Sequence, residues 1–314
     1  MDTKPTILFV DDEERILRSL KMLFLGKYNI KTTTDANEAL EILKNEKVHV
    51  VISDQRMPIM MGVDFLRQAS QIAPHAMRLL LTGYSDLAAI VGSVNEGEIY
   101  RYVNKPWKAD ELKSLVAEAA DIAIRLLDKP IEIPEKKVKK NPQELFGVLV
   151  LDSDTTIHHT VKKICVNNSA AVYCSSNIEH AFQILSEKEI AVMISEIVIE
   201  GQDVSPAIKT LKQYNPNILT IVLTSFQDTK SLIELINQGQ VYRFLPKPAH
   251  DGLLGKSLQA ALQRYQLLCN APQLLMRHKV EQSTQPVTNT ISDKVMNYLK
   301  KIRDRNTSLF NFTS

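Results

Sequence analysis

An eight-residue pattern occurs twice in this chain of 314 residues. Ile99-Tyr-Arg-Tyr-Val-Asn-Lys-Pro106 returns as Val241-Tyr-Arg-Phe-Leu-Pro-Lys-Pro248. Positions upstream repeat with it. Asp54 and Thr82 are 28 residues apart, as are Glu196 and Thr224, while 23 residues separate Thr82 from Lys105 and Thr224 from Lys247. A long period held over several markers means one folding unit built twice. The length fits two domains.

Within the first copy the apolar pattern switches repeatedly between strand and helix. Thr6-Ile-Leu-Phe-Val10 reads as a buried strand that runs into Asp11-Asp12-Glu13-Glu14. Ile16, Leu17, Leu20, Leu23 and Phe24 line one helix face, and Gly26 ends it. A second strand at 29–33 leads to Asp35, an N-cap for the helix carrying Ala39, Leu40 and Leu43. Residues 50–53 form a third strand with Asp54 at its C-terminal end, and Pro58 and Gly62 shape the loop before a helix opened by Val63, Phe65 and Leu66. The fourth strand is expected at 77–81 before Thr82, a helix at 87–95, a fifth strand at 99–103 and a last helix from Asp110 to about Leu127. Five strand–helix alternations predict an α/β, doubly wound, five-stranded parallel sheet. The second copy shows strands at 147–151, 190–195 and 219–223 and around 241–248. The expected architecture is therefore two such domains in tandem, followed by a short C-terminal helical tail.

Position gives the acids their meaning. In an open parallel sheet, ligands bind at the carboxyl ends of the strands. Asp11, Asp12, Asp54, Thr82 and Lys105 all fall there. Alone, Thr82 is an ordinary turn residue and Lys105 a solvated cation; in order, each at a different strand end, they form a site. Crowded carboxylates need a cation, and an all-oxygen ligand set with room for water and phosphate favours Mg²⁺.

These residues resemble the receiver domain of two-component response regulators, a flavodoxin-like fold, over about 6–127. The resemblance implies that Asp54 is the phosphoryl acceptor and that Asp11 and Asp12, with Asp54 and the Arg56 carbonyl, hold Mg²⁺. It implies that Thr82 and Lys105 bind the phosphoryl oxygens and that Tyr102 is the aromatic switch. A cis Lys105–Pro106 bond, as in the family, would aim the lysine inward. Self-phosphorylation and dephosphorylation would be the only catalysis. The second half resembles a receiver too, from about 146 to 268, but departs at the site. Asp152 matches Asp11, Ser153 stands for Asp12 unless Asp154 substitutes, and Glu196 stands for Asp54. Thr224, Phe244 and Lys247 remain. Glutamate carries its carboxylate one methylene further out, so in-line acceptor geometry is lost. It acts either as a permanent phosphate mimic or as a relic paired with Lys247.

The domain organisation expected is 1–128 phosphoacceptor receiver, 129–145 exposed linker with Pro130, Pro134 and Pro142, 146–269 degenerate receiver and 270–314 basic tail. In the tail, Gln282 to Thr290 is polar and expected to be disordered, whereas Ile291, Val295, Met296, Leu299 and Ile302 have helical spacing. Seven Lys/Arg oppose three Asp/Glu there. A single such helix has no scaffold to hold it in a DNA groove, so it reads as a docking helix rather than a direct nucleic-acid binder. A net charge of +2 supplies no polyanion-binding field. No apolar run reaches the ~18 residues of a membrane span, and no signal peptide is seen. Cys165, Cys174 and Cys269 are odd in number and without metal-ligand spacing. The expectation is a cytoplasmic response regulator with a histidine kinase or phosphotransfer protein upstream and a protein partner or homodimer downstream. The alternatives are the input half of a larger signalling enzyme or transcription factor, and a phosphate sink.

Overall fold

The computed structural model describes residues 4–83, 99–128, 146–166, 170–225, 235–237, 241–270 and 292–310. The helix expected at 87–95, the linker at 129–145 and the polar stretch at 282–290 lie outside the described residues. The chain divides into two compact units, Met1–Ile131 and Glu132–Ser314.

In the first unit β1 (Thr6–Val10), β2 (Asn29–Thr33), β3 (Val50–Asp54), β4 (Met77–Thr82) and β5 (Arg101–Asn104) form a parallel sheet in the order β2-β1-β3-β4-β5. Every residue of β1, β3 and β4 is buried, as continuous apolar runs require when helices cover both faces. Edge strand β2 is half exposed. Helices α1 (Glu14–Phe24), α2 (Ala36–Asn45), α3 (Gly62–Ile72) and α4 (Ala109–Asp128) complete the described elements. Leu17, Leu20 and Phe24 of α1 are buried, as are Ala39, Leu40 and Leu43 of α2. The Asp35 carboxylate accepts the Asn37 N–H at 2.7 Å, the cap its position required. The strand order reverses between β1 and β3, which opens a crevice at their carboxyl ends.

The fifth strand starts later than the pattern suggested. Ile99 and Tyr100 only approach the sheet, Tyr100 N–H donating to the Arg78 carbonyl at 2.8 Å, and regular pairing begins at Leu79 with Arg101. Arg101 is fully buried; its guanidinium lies 4.1 Å from the Tyr100 ring centroid and donates to the Tyr100 carbonyl at 2.9 Å.

The second unit repeats the plan. Strands β6 (Gly147–Leu151), β7 (Ala171–Ser175), β8 (Ile190–Ser195), β11 (Leu219–Thr224) and β12 (Arg243–Pro246) take the order β7-β6-β8-β11-β12. The strand expected from Val241 likewise begins two residues later. Helices α5 (Thr155–Val166), α6 (Ile178–Glu187), α7 (Ser205–Tyr214) and α8 (Asp251–Asn270) pack around it. Two features were not expected. Where the first unit has its Met57-Pro58 loop, the second has a hairpin of β9 (Val198–Ile199) and β10 (Gln202–Asp203). Glu200 (φ 51°) and Gly201 (φ 78°) turn it, both left-handed as a two-residue hairpin of this type requires. The tail helix, α9 (Asp293–Phe310), is eighteen residues long rather than short, and packs on α6 and α7.

Lys212 on α7 is buried to 1% exposure and donates to the Pro216 and Ile218 carbonyls at 2.8 and 2.7 Å. Burial, reinforced by the Arg264 charge, pulls its ammonium down to about 7. The unfolded chain therefore holds a proton that the folded chain sheds between about pH 7 and lysine's ordinary range, so stability rises with pH across that window. The expected slope is about 1 kcal/mol per pH unit from pH 7 to 9 in denaturant titrations of the second unit. Lys212→Met should flatten it. An unchanged slope in that variant would remove Lys212 as the cause.

Candidate functional site

Register builds the site before any side chain is considered. Val10 pairs with Ser53, so Asp11 and Asp54 leave the sheet side by side. Thr82 pairs with Asn104, so Lys105 follows one residue beyond it. The Lys105 ammonium lies 2.7 Å from Asp54 Oδ1 and 3.1 Å from Asp11 Oδ2. Carboxylate oxygens of Asp11, Asp12 and Asp54 all lie within 4.8 Å of one another. Asp11 is 1% exposed and Asp54 6%, while Asp12 faces solvent.

The loops around these acids are fixed by backbone donors. Glu13 N–H donates to Asp11 Oδ1 at 3.0 Å and Arg56 N–H to Asp54 Oδ2 at 3.1 Å. Ser53 Oγ donates to the Asp54 carbonyl at 2.8 Å. A residue the sequence reading missed, Gln55, is buried and accepts Val63 N–H through Oε1 and Gly62 N–H through its carbonyl. Gly62 is needed for close approach: a Cβ there would stand 2.0 Å from the Asp54 carbonyl oxygen. Helix α3 can therefore begin directly against β3.

Electrostatics follow from this crowding. Burial raises the Asp11 carboxyl above the ordinary aspartate range; Glu13 N–H and Lys105 act against that, and the Asp54 charge adds to it. Burial pulls the Lys105 ammonium down, but Asp54 and Asp11 outweigh burial and hold it above the ordinary lysine range. Three carboxylates face one ammonium. The oxygen-only cluster fits a hard divalent cation, which suits such a charge imbalance. Thr82 is fully buried at the end of β4, and Tyr102 is buried on β5. Lys105–Pro106 is cis, as is Lys247–Pro248.

Residues 7–117 match the response regulator receiver domain family. The first unit contains a receiver domain. Among similar proteins, the hydrogenase transcriptional regulatory protein HoxA of Bradyrhizobium diazoefficiens is 36% identical over 169 residues, covering 51% of this chain and 34% of that protein. HoxA of Cupriavidus necator is 37% identical over 120 residues, covering 38% and 25%. The chain thus spans about a third or less of these relatives. A solved signal receiver domain of an HD domain-containing protein from Pseudomonas fluorescens Pf-5 is 37% identical, covering 41% of this chain and 96% of that one, with a TM-score of 0.40.

The second unit brings a lysine and two acids together at the same strand ends. Leu151 pairs with Ser195, which brings Asp152 beside Glu196. Lys247 Nζ lies 3.1 Å from Asp152 Oδ1 and 2.7 Å from Glu196 Oε2. Burial pulls this ammonium down too, and Asp152 and Glu196 outweigh it. Ile197 N–H donates to Glu196 Oε1 at 2.8 Å, and Ser195 Oγ to the Glu196 carbonyl at 2.8 Å. The longer side chain therefore ends on a lysine and a loop N–H, the same kinds of donor that Asp54 uses. Ser153 is exposed, Thr224 and Phe244 are buried, and no hydrogen bond joins Glu196 to Thr224. The substitution considered for Asp154 does not occur. Its carboxylate accepts Thr156 N–H at 2.8 Å and Thr156 Oγ1 at 2.7 Å, capping α5. These bonds hold the Asp154 carboxyl below its usual range. Among the described residues no third acid closes on Asp152 and Glu196.

Proposed function

We propose that this chain is a response regulator whose Asp54 accepts a phosphoryl group from a histidine kinase or phosphotransfer protein, and whose second unit is a degenerate receiver. The observation that carries the reading is the convergence of Lys105 on Asp54 beside Asp11 and Asp12. Asp11, Asp12, Asp54 and the Arg56 carbonyl would hold Mg²⁺. When bound, that ion neutralises charge on the transferring phosphoryl oxygens. Asp54 supplies the attacking oxygen: a P–O bond forms on its carboxylate as the P–N bond to the donor imidazole breaks. Lys105 is placed to neutralise a second equatorial oxygen, and Thr82 to donate to a third. Gln55 and Gly62 keep the acceptor in line. The new phosphoryl group carries about −1.5 to −2 charge if it resembles other phosphoryl groups. Thr82 moving toward it, with Tyr102 following, would pass that change to a downstream partner or a homodimer face.

Domain limits of 1–128, 129–145, 146–269 and 270–314 go with this reading. In the second unit the two Glu196 carboxylate oxygens are taken by Lys247 and Ile197 N–H and neither bonds Thr224, which favours the relic account of Glu196 over the phosphate mimic. The transcriptional regulators among the relatives support a second reading, that the chain is the input part of a larger transcription factor; a phosphate sink would have no partner that responds to Asp54. The test is incubation with a small phosphodonor such as acetyl phosphate, followed by intact mass with and without chelator. One phosphoryl group per chain is expected, lost with excess chelator. Undiminished labelling in chelator would sink the Mg²⁺ site, and phosphotransfer profiling against histidine kinases would then identify the donor.

A further inference from the structure

The tail helix sits in a place that the first unit fills differently. In the first unit α2 packs directly on α3; in the second, α9 packs on both of the corresponding helices, α6 and α7. Val295, Leu299 and Ile302, spaced four and three residues apart, are its buried anchors. Its ends carry polar clamps. Lys294 pairs with Glu179 at the start of α6 at 3.1 Å. Arg305 caps the other end of α6, donating to the Leu185, Ser186 and Lys188 carbonyls at 3.0, 3.2 and 3.1 Å. These are the carbonyls a helix terminus leaves without intrahelical donors, and a guanidinium there also meets the negative end of the helix dipole. The Arg303 guanidinium lies 5.8 Å from the ring of Tyr214, the last residue of α7. Both sets of contacts make α9 run parallel to α6.

Beside Ser292 and Val295 lies a cavity of about 740 Å³, lined by Ile178, Ile199, Val204 and Ala207 with Glu200 and Asp203 in its wall. The hairpin, the added element of this unit, forms one side of it. The α2–α3 pair of the first unit packs without such a helix, so α9, held among the described residues by Val295, Leu299, Ile302 and the two polar clamps, is built as a guest rather than as a core element.

We propose that the α6–α7 face of the second unit is a helix-binding groove, and that the chain's own residues 293–310 occupy it reversibly in cis. The partner it fits is an amphipathic helix with apolar residues at i, i+4 and i+7 and an arginine at i+10, the pattern of Val295, Leu299, Ile302 and Arg305. This inference does not depend on Asp54. It assigns the degenerate unit a function that needs no phosphoryl group: presenting or covering a helix-docking surface.

The test uses the full chain and hydrogen exchange. In Leu299→Asp/Ile302→Asp, exchange should rise at least tenfold in 178–187 and 205–214, while 147–151, 190–195 and 219–224 stay protected. A synthetic peptide of residues 292–310 should bind that variant, restore protection, and fail to bind wild-type protein. Failure of the peptide to bind the folded variant would overturn the proposal and make α9 part of the core. Should that variant unfold, Arg305→Gln decides. Faster exchange confined to 293–310 and 178–187 supports a guest helix; no change, or a global change, defeats it. A wild-type dimer linked by exchanged tail helices would overturn occupancy in cis.

Discussion

Asp54→Asn should reduce Mg²⁺-dependent labelling by a phosphodonor to below about 1% of wild type, with the fold unchanged. An amide has no anionic oxygen to attack phosphorus. Lys105→Met should be less severe. It removes one electrostatic partner of the transferring group but leaves the nucleophile, so the labelling rate should fall by roughly 100-fold. The order of the two variants is the informative result. If Lys105→Met labels at the wild-type rate, its 2.7 Å contact with Asp54 is structural and has no part in transfer. If Asp54→Asn still takes up a phosphoryl group, the acceptor lies elsewhere.

Most of this site was legible because register does the work. Once β1, β3, β4 and β5 are read as parallel strands, Asp11, Asp54, Thr82 and Lys105 must emerge on one edge, whatever the helices do. The duplicated spacing carried the same deduction to Asp152, Glu196 and Lys247. Gln55 escaped because its role is to hold two N–H groups of a loop, which leaves no periodicity. Gly62 could be placed in a loop from the sequence, but the need for it comes from a backbone oxygen on another element. The Glu200-Gly201 hairpin was missed because its strands are two residues each, too short for alternation to register. Asp154 was ambiguous for another reason: Asp before Thr-Thr serves equally as metal ligand or helix cap, and only its bonds to Thr156 decide. The spacing of Val295, Leu299 and Ile302 announced a docking helix but could not name its host.

The second unit should take no label in wild-type protein, and two changes should be enough to create a site. The background is Asp54→Asn, which silences the first unit. Glu196→Asp alone withdraws the carboxylate from its present seat between Lys247 and Ile197 N–H. It leaves the cluster with two acids, too few to hold Mg²⁺ well, so little label is expected. Adding Ser153→Asp supplies the acid at the exposed rim where the first unit has Asp12. Chelator-sensitive labelling should then appear at least tenfold above the single variant. Glu196→Gln and Lys247→Met separate the relic from the mimic on the same unit. Removing the glutamate charge leaves Lys247 paired with Asp152, a loss of about 1–2 kcal/mol in denaturant titration. Removing the ammonium strands two carboxylates whose side chains are 1% and 14% exposed, and should cost about 3–5 kcal/mol. A relic predicts that order and no change in exchange at β12 and α8 in Glu196→Gln. Exchange that rises across 243–270 without loss of stability would instead show that the glutamate charge holds a switched state. Absence of label in the double variant would place the obstacle in the hairpin loop rather than in the two missing aspartates.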